Sequence, residues 1–174
     1  MEFYKVIKER RSIREYKPDP IPDDVLKRVL NAARLAPSAK NIQPWRFIVV
    51  KDEKLRHILV EACHYQEFIA QAPVIICGVA LEKEAYAEMG EYLNSYPVDL
   101  AIALDHLILA ATNEGLGTCW IGSFNEEKVK RVLGIPEDVR VVALTPLGYP
   151  AESPPPRPRK PLSEIVFYNR WKSS

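Results

Sequence analysis

The chain has 174 residues, and its 24 lysines and arginines almost balance 23 aspartates and glutamates, which gives a formal net charge of +1. A hydrophobic content of 47% and a charged content of 27% indicate one soluble globular domain, and the balanced charge excludes a generally basic surface. Because Asp99, Asp105 and His106 interrupt the longest apolar stretches, we expect a cytoplasmic protein with no membrane span and with neither nucleic acid nor membrane as a partner.

The first feature of the chain is a cluster of cations. A short amphipathic segment at residues 3–8 precedes residues 10–14, which read Arg-Arg-Ser-Ile-Arg. Guanidinium groups pair in bidentate fashion with phosphate or carboxylate, so the cluster suits a compact anion. The alternative is a solvated helix face whose arginines pair with Glu2, Glu9 or Glu15, and this segment taken alone favours that alternative.

Two helices and two strands are predicted in the first half. Residues 23–35 have a helical apolar period, and residues 52–64 form a second helix with Asp52 at its N-cap. Between them, the β-rich run at residues 46–51 predicts a strand. The continuous apolar run at residues 73–80 predicts a strand that is buried on both faces.

The second half continues the alternation. Residues 98–113 are apolar nearly all round, so we expect a central helix there. An apolar run at residues 118–123 follows, then a helix at 126–133 capped by Asn125, and a strand at 139–147. Helices interleaved with four strands, without strict βαβ alternation, predict an α+β fold with a central sheet covered by helices.

Two loop regions carry polar or glycine residues of interest. In the turn at residues 36–45, Ser38, Asn41 and Gln43 could bond a heterocycle, or cap helix ends and satisfy their own backbone. The glycines at 115, 117 and 122 do not form a dinucleotide fingerprint, because they run from helix into strand. They still permit a close approach of the backbone to a flat ligand near residues 120–122.

The C-terminal segment differs in character. Six prolines crowd residues 150–161, so this stretch must be extended and cannot pair fully in a sheet. It carries Arg157, Arg159 and Lys160, and the apolar residues 165–168 and Trp171 follow. Such a segment either wraps a partner subunit or folds back on its own core, and the sequence leaves both open.

The sequence contains no recognisable arrangement of side chains for catalysis or metal binding. The three cysteines, Cys63, Cys77 and Cys119, form no C-x-x-C pair, which argues for a reducing compartment and against disulfides or zinc. No nucleophile–base arrangement, phosphate-binding loop, paired carboxylates or metal signature is present in the sequence. If the chain is an enzyme, we therefore expect a cofactor to supply the chemistry.

Taken together, four segments resemble the nitroreductase family of flavoproteins. In chain order they are residues 10–14, residues 36–45, residues 115–122 and the Arg-x-Arg pair at 157 and 159. The similarity extends over essentially the whole chain. It implies a mostly antiparallel sheet and a homodimer with FMN at the interface. Residues 1–150 would form the flavin-binding domain, and residues 151–174 an extended arm exchanged between subunits.

The resemblance also implies roles for the cations. Arg10, Arg157 and Arg159 would hold the FMN phosphate, which is dianionic and needs several positive charges. Arg11 and Ser12 would support the phosphate and the ribityl chain. Arg14 would lie near the pyrimidine edge of the flavin, where a cation stabilises the reduced form.

Other flavin contacts are implied by the same comparison. Pro37, Ser38, Ala39 and Asn41 would come from the other subunit. Ile121 and Gly122 would pack on the isoalloxazine. Near positions 65 and 68, where some members place polar groups, this chain has Tyr65 and Phe68, so Gln66 is the candidate that replaces those contacts.

The implied activity is transfer of hydride from NADH or NADPH through flavin N5 to a nitroaromatic, a quinone or a similar acceptor, by ping-pong turnover without a catalytic side chain. A short lid at residues 82–96 would cover the substrate. Specialised flavin chemistry on the same fold (flavin fragmentation, dehalogenation or enoate reduction) is an alternative. The others are a non-catalytic FMN-binding protein and an anion-binding module without flavin.

Overall fold

The structure is a computed structural model that describes residues 2–171. The strands are β1 (Trp45–Val50), β2 (Val74–Ala80), β3 (Gly117–Thr118) and β4 (Arg140–Gly148). The α-helices are α1 (Phe3–Glu9), α2 (Asp23–Arg34), α3 (Glu53–Ala62), α4 (Phe68–Gln71), α5 (Tyr96–Asn113), α6 (Glu126–Leu133) and α7 (Leu162–Ile165). A turn of 3₁₀-helix covers Ala39–Asn41. No helix within residues 2–171 combines the length and apolar character needed to cross a bilayer.

The four strands form one sheet in the order β1-β2-β4-β3, and every neighbouring pair is antiparallel. All residues of β2 are buried, as their continuous apolar run predicts. Alternate β2 side chains enter two different cores, because successive residues of a strand point to opposite faces. Val74 and Ile76 pack with α2 and α5, whereas Ile75 and Cys77 pack with α3 and α6. The predicted α+β fold is confirmed.

Helix α5 occupies the centre of one face of the sheet. Its side chains Leu100, Leu104 and Leu107 are fully buried. A Cβ at Gly78 of β2 would lie 3.1 Å from methyl carbons of both Leu100 and Leu104, so the helix lies directly on the strand. The expectation of a central helix at this position is confirmed.

The predicted helix caps are also confirmed. The Asp52 carboxylate accepts a hydrogen bond from the Leu55 N–H at 2.9 Å, and the Asn125 side-chain oxygen accepts one from the Lys128 N–H at 2.9 Å. Each cap satisfies a backbone donor that the first helical turn leaves without an intrahelical partner.

The apolar run at residues 118–123 forms less strand than its composition suggests. Pairing with β4 covers only Gly117 and Thr118. The next backbone N–H, that of Cys119, donates to the Thr145 hydroxyl at 3.3 Å instead of to a backbone carbonyl, and pairing resumes at a single bridge between Ile121 and Leu144. The sheet edge is therefore irregular at this point.

The two ends of the chain are joined beside this edge. Tyr16 and Pro150 form an antiparallel bridge, the Lys17 N–H donates to the Tyr149 carbonyl at 2.9 Å, and the Ala151 N–H donates to the Glu15 carbonyl at 2.8 Å. Residues 152–161 then continue without helix or strand. The end of the predicted arm, residues 172–174, lies outside the described residues. The ribbon formed by residues 15–17 and 149–151 sets where the arm begins.

Candidate functional site

A cavity of about 650 Å³ lies between the end of α1 and the proline-rich segment. Its lining residues are Ile7, Lys8, Arg10, Arg11, Ser12, Arg14, Pro154, Pro155, Pro156, Arg157 and Arg159. Six of these side chains are cationic and none is acidic. Since the whole chain carries a net charge of only +1, the cavity is a local concentration of positive charge that suits an anionic ligand.

Helix α1 presents the first group of cations. The helix ends at Glu9, and the Arg10 N–H donates to the Val6 carbonyl at 2.9 Å. The Arg11 guanidinium donates to the carbonyls of Lys8 and Arg10 at 2.7 and 2.8 Å. Arg11 therefore satisfies carbonyl groups at the C-terminal end of α1, where a cation is favoured by the helix dipole.

Arg14 is fixed by two contacts of different kinds. Its backbone N–H donates to the Glu152 carboxylate, which ties the arginine segment to the start of the arm. Its guanidinium lies 5.9 Å from the centre of the Phe68 ring, within the range of a cation–π interaction. Phe68 thus helps to hold Arg14, the residue predicted to lie near the pyrimidine edge of the flavin. Tyr65, by contrast, is largely exposed.

The arm brings Arg157 and Arg159 to the same cavity as Arg10. Three consecutive prolines, Pro154 to Pro156, line the cavity before them. Proline restricts φ, so the two arginines are presented by a segment that has little conformational freedom to lose on binding. The two cationic clusters, which are about 145 residues apart in sequence, form one site within a single chain.

The turn at residues 37–43 does not line this cavity. Ser38 accepts a hydrogen bond from the Gln43 N–H at 2.9 Å, and the Ala39 N–H donates to the Asp99 carboxylate at 2.9 Å. Lys40, Asn41 and Gln43 adopt positive φ angles of 51°, 56° and 55°. Such left-handed residues cost roughly 1–3 kcal/mol each and persist where the surroundings hold them.

Within one chain, side chains of the turn form hydrogen bonds with its own backbone. This is one of the two interpretations that the sequence of the turn allows. Of the four residues predicted to contact the flavin from the other subunit, Pro37, Ser38, Ala39 and Asn41, none stands beside the arginines of its own chain. That these residues contact the flavin from the other subunit stays a prediction.

The side chains of two predicted flavin contacts, Ile121 and Gln66, are engaged within the chain, and their contact with the flavin stays a prediction. The Ile121 side chain is only 2% exposed and belongs to the core beneath α3 and α6, so it has almost no surface to pack on a flavin. Alternation along the chain instead exposes its neighbours, Gly122 and Trp120, the latter by 42%. Gln66 donates its side-chain amide to the carbonyls of Cys63 and Ser123 at 2.8 and 3.0 Å, which commits its N–H groups to local structure.

A smaller hollow of about 220 Å³ adjoins the cationic cavity. It shares Arg10 and Ser12 with that cavity, and its other lining residues are Asp105, Ile108, Thr118 and Trp120. The sequence predicts a flat ligand near residues 120–122, which include Trp120, but sequence reasoning missed Asp105 as a site residue. An acid on an otherwise apolar helix was the available signal.

The cysteine beneath the arginine segment, Cys119, is a buried thiol. Burial raises the pKa of the Cys119 thiol, and the nearby Arg14 and a hydrogen bond with Ser12 offset only part of that rise. All three cysteines are free and buried. Among the described residues, no group of three or more His, Cys, Asp or Glu side chains could hold a metal ion. The side chains of the site therefore offer binding and electrostatics.

Comparison with known families agrees with this description. The sequence matches the model of the Nitroreductase family over residues 7–66 and 58–149. A curated relative, NADH dehydrogenase of Thermus thermophilus, is 33% identical, with 92% of each chain covered. A more distant one, iodotyrosine deiodinase of Thermotoga neapolitana, is 26% identical, covering 97% of this chain and 98% of that protein.

Solved structures are similar over most of the chain. A nitroreductase family protein from Clostridium novyi NT is 43% identical with a TM-score of 0.81, covering 86% of this chain and 87% of that one. The NADPH:FMN oxidoreductase of Vibrio harveyi, solved in complex with NAD⁺, is 25% identical with a TM-score of 0.86, covering 98% of this chain and 78% of that one.

Proposed function

The chain belongs to the nitroreductase family and is an oxidoreductase, and from this premise we propose that it binds FMN and transfers hydride from NADH or NADPH to a small organic acceptor. The observation that carries the proposal is the cavity in which the two ends of the chain bring six cations together. No other feature of the described residues presents so much unbalanced charge to a ligand.

The residues of the cavity fit FMN. Its volume of about 650 Å³ lies within the range of roughly 300–1,000 Å³ that is typical of cofactor sites. Arg10, Arg157 and Arg159 would hold the dianionic phosphate, and each charge-assisted hydrogen bond contributes about 1.5–3 kcal/mol. Arg11 and Ser12 would support the phosphate and the ribityl chain. The exposed Trp120 borders the adjoining hollow, where the flat ring system would lie, and the exposed Gly122 follows two residues later.

We further propose that the functional unit is a homodimer. Within one chain, large apolar side chains are exposed on α1 and on the arm, including Phe3, Tyr4, Ile165 and Trp171. Such a surface is typical of an interface. A second subunit would bury it, receive the exchanged arm, and bring the turn that contains Ser38 and Asn41 to the flavin.

When bound, FMN would supply the redox chemistry of hydride transfer from the nicotinamide to the acceptor. The residues of the chain would position the flavin and tune its electrostatic environment. Arg14, held over Phe68 and tied to Glu152, would place positive charge where negative charge develops on reduction. No protein nucleophile takes part in this scheme. The acceptors we propose are nitroaromatics and quinones, and the free, buried cysteines fit a cytoplasmic location.

Reductive dehalogenation is the second candidate. It is supported by the similarity to the iodotyrosine deiodinase of Thermotoga neapolitana, which covers nearly the whole of both chains. The two candidates share the proposed cofactor and cation site and differ in the acceptor. A panel of nitroaromatics, quinones and iodinated phenols separates them by the product formed.

Titration with FMN, followed by quenching of flavin fluorescence, tests the proposal directly. Arg159→Ala and Arg10→Ala should each weaken binding about 10- to 100-fold, since one charge-assisted contact is lost. The matched control is Arg34→Ala, which removes one exposed arginine from α2, outside the cavity. Salt should weaken binding by the wild type more than by either cavity variant. Unchanged affinity in both cavity variants would refute the phosphate site.

Anaerobic mixing of the FMN-loaded protein with NADH and with NADPH then tests catalysis. An oxidoreductase bleaches the flavin absorbance with at least one donor. A flavin that stays oxidised with both donors would identify a non-catalytic FMN-binding protein.

A further inference from the structure

A buried carboxylate connects the 37–43 turn with the lid. Asp99 lies in the first turn of α5 and is only 3% exposed. One of its oxygens accepts a hydrogen bond from the Ala39 N–H at 2.9 Å, and the other accepts one from the Ser95 hydroxyl at 2.7 Å. Both oxygens of a buried acid are therefore directed at groups outside the helix interior, on two different segments.

Ser95 extends the connection into the lid. Its hydroxyl oxygen accepts a hydrogen bond from the Tyr86 N–H at 3.1 Å, and its own N–H donates to the Tyr86 carbonyl at 2.8 Å. A chain of bonds thus runs from Ala39 through Asp99 and Ser95 to Tyr86. Networks of this kind orient every member, because a broken link leaves a buried polar group without a partner.

A second contact joins the same two segments. The Lys40 ammonium lies 4.3 Å from the centre of the Tyr86 ring, a close cation–π geometry. Lys40 itself has a left-handed backbone, so its position depends on restraints from the surroundings. The turn and the lid are therefore joined by two contacts, one from Ala39 through Asp99 and Ser95 and one from Lys40 to Tyr86.

From these contacts we infer that Asp99 is a positioning residue that holds the 37–43 turn and the 82–96 lid in one fixed arrangement. The inference rests on the proposed function, in which the turn contacts the flavin, and on the prediction that the lid covers the acceptor. Through its bond to Ala39, Asp99 sets the position of the turn against the flavin. Through its hydrogen bond with Ser95, Asp99 sets the position of the lid. Flavin affinity and acceptor affinity then depend on one carboxylate that touches neither ligand.

A purely structural role makes a different set of predictions. A carboxylate that bonds a backbone N–H also stabilises a fold. The partly buried Glu126, whose side chain is 23% exposed, does so at the opposite side of the sheet, accepting from the Val141 N–H at 2.9 Å. Removal of a carboxylate with only that role lowers the denaturation temperature and leaves ligand affinities unchanged. Glu126→Ala is therefore the matched control for Asp99→Ala.

The variants separate the two arms of the network. Asp99→Ala should weaken FMN binding about tenfold and raise the KM of the acceptor more than it lowers kcat, since it releases turn and lid together. Asp99→Asn should stay within about threefold of the wild type, because the amide oxygen still accepts from Ala39 and the amide N–H can donate to Ser95. Ser95→Ala should raise the acceptor KM with unchanged FMN affinity.

The experiment measures FMN affinity by fluorescence, kcat and KM with a quinone acceptor, and the denaturation temperature of each variant. Wild-type FMN affinity and KM in Asp99→Ala, or the same ligand effects in Glu126→Ala, would overturn the inference. If Asp99→Ala does not fold, Ser95→Ala decides, and an unchanged KM refutes the coupling. Failure of the wild type to bind FMN would instead refute the proposed function, which keeps the two outcomes distinct.

Discussion

Gly117 leaves no space for a side chain beside the arginine segment. A Cβ at this position would lie 2.7 Å from Cγ1, 3.0 Å from Cβ and 3.1 Å from Cγ2 of Ile13. The backbone of Gly117 is not left-handed, so only space prevents a substitution. Ile13 is 6% exposed and packs with Tyr16 and Ala72, so it cannot turn away. The Gly117→Ala variant must therefore displace the backbone of residues 12–14.

The expected cost follows from this geometry. Overpacking of a tight contact destabilises a protein by about 1–3 kcal/mol. The displacement also strains the Ile13 N–H bond to the Thr118 carbonyl, now 2.9 Å, and moves the neighbouring Ser12 and Arg14. We expect Gly117→Ala to lower the free energy of unfolding by about 1–3 kcal/mol and to weaken FMN binding about tenfold, which corresponds to about 1.4 kcal/mol.

Urea unfolding and FMN titration measure both effects. Gly122→Ala is the control for stability, because its added Cβ would approach Trp120 no closer than 3.5 Å, and its effect should stay within about 0.5 kcal/mol. Ile13→Ala removes two of the three clashing atoms, so the double variant should lose less stability than the sum of the single variants, by at least about 0.5 kcal/mol. Wild-type stability of Gly117→Ala, or strict additivity with Ile13→Ala, would refute the reasoning.

The cysteines and the α6 cap give further predictions. Burial raises the pKa of Cys63 and of Cys77 to about 12, so neither thiol should react with a thiol reagent at pH 8 until the protein unfolds; rapid labelling of the native protein would contradict this. The folded pKa of each thiol lies above its unfolded value of 9.0. The contribution of the two protonated thiols to the free energy of unfolding is therefore fully present below pH 9 and should be lost as the pH rises toward about 12. The urea midpoint should fall over the same pH range. Asn125→Ala should cost about 1 kcal/mol of unfolding free energy, whereas Asn125→Asp, which keeps the acceptor for the Lys128 N–H, should cost little; equal midpoints for both variants would argue against the cap.

Much of the fold follows from local patterns. The unbroken apolar run of β2 predicts burial on both faces, and this is confirmed. The predicted caps Asp52 and Asn125 and the central position of the apolar helix α5 are confirmed as well. Boundaries were less predictable at β3, because the loss of pairing after Thr118 depends on a hydroxyl from Thr145, a residue of another strand.

The site was predictable in its residue types and less so in its contacts. The sequence identifies the arginines, but it does not show that residues 15–17 pair with 149–151 and so direct the arm to Arg10. The family resemblance implies that Ile121 packs on the flavin, whereas its side chain is buried in the core and that of its neighbour Trp120 is exposed. Asp99 looked like an interruption of an apolar helix, because its partner Ala39 lies 60 residues away.

The placement of the cavity at the junction of the two chain ends links ligand binding to folding. Six cations in one cavity repel one another, and the arm that carries two of them is exposed and held at its base by a few backbone bonds. An anion bound there neutralises the repulsion and connects α1 with the arm. A ligand at 100 times its Kd stabilises the folded state by about 2.7 kcal/mol. The mutual repulsion of the cations is thus offset when an anion is bound, which is the physical reason for expecting an anionic cofactor rather than a solvated surface.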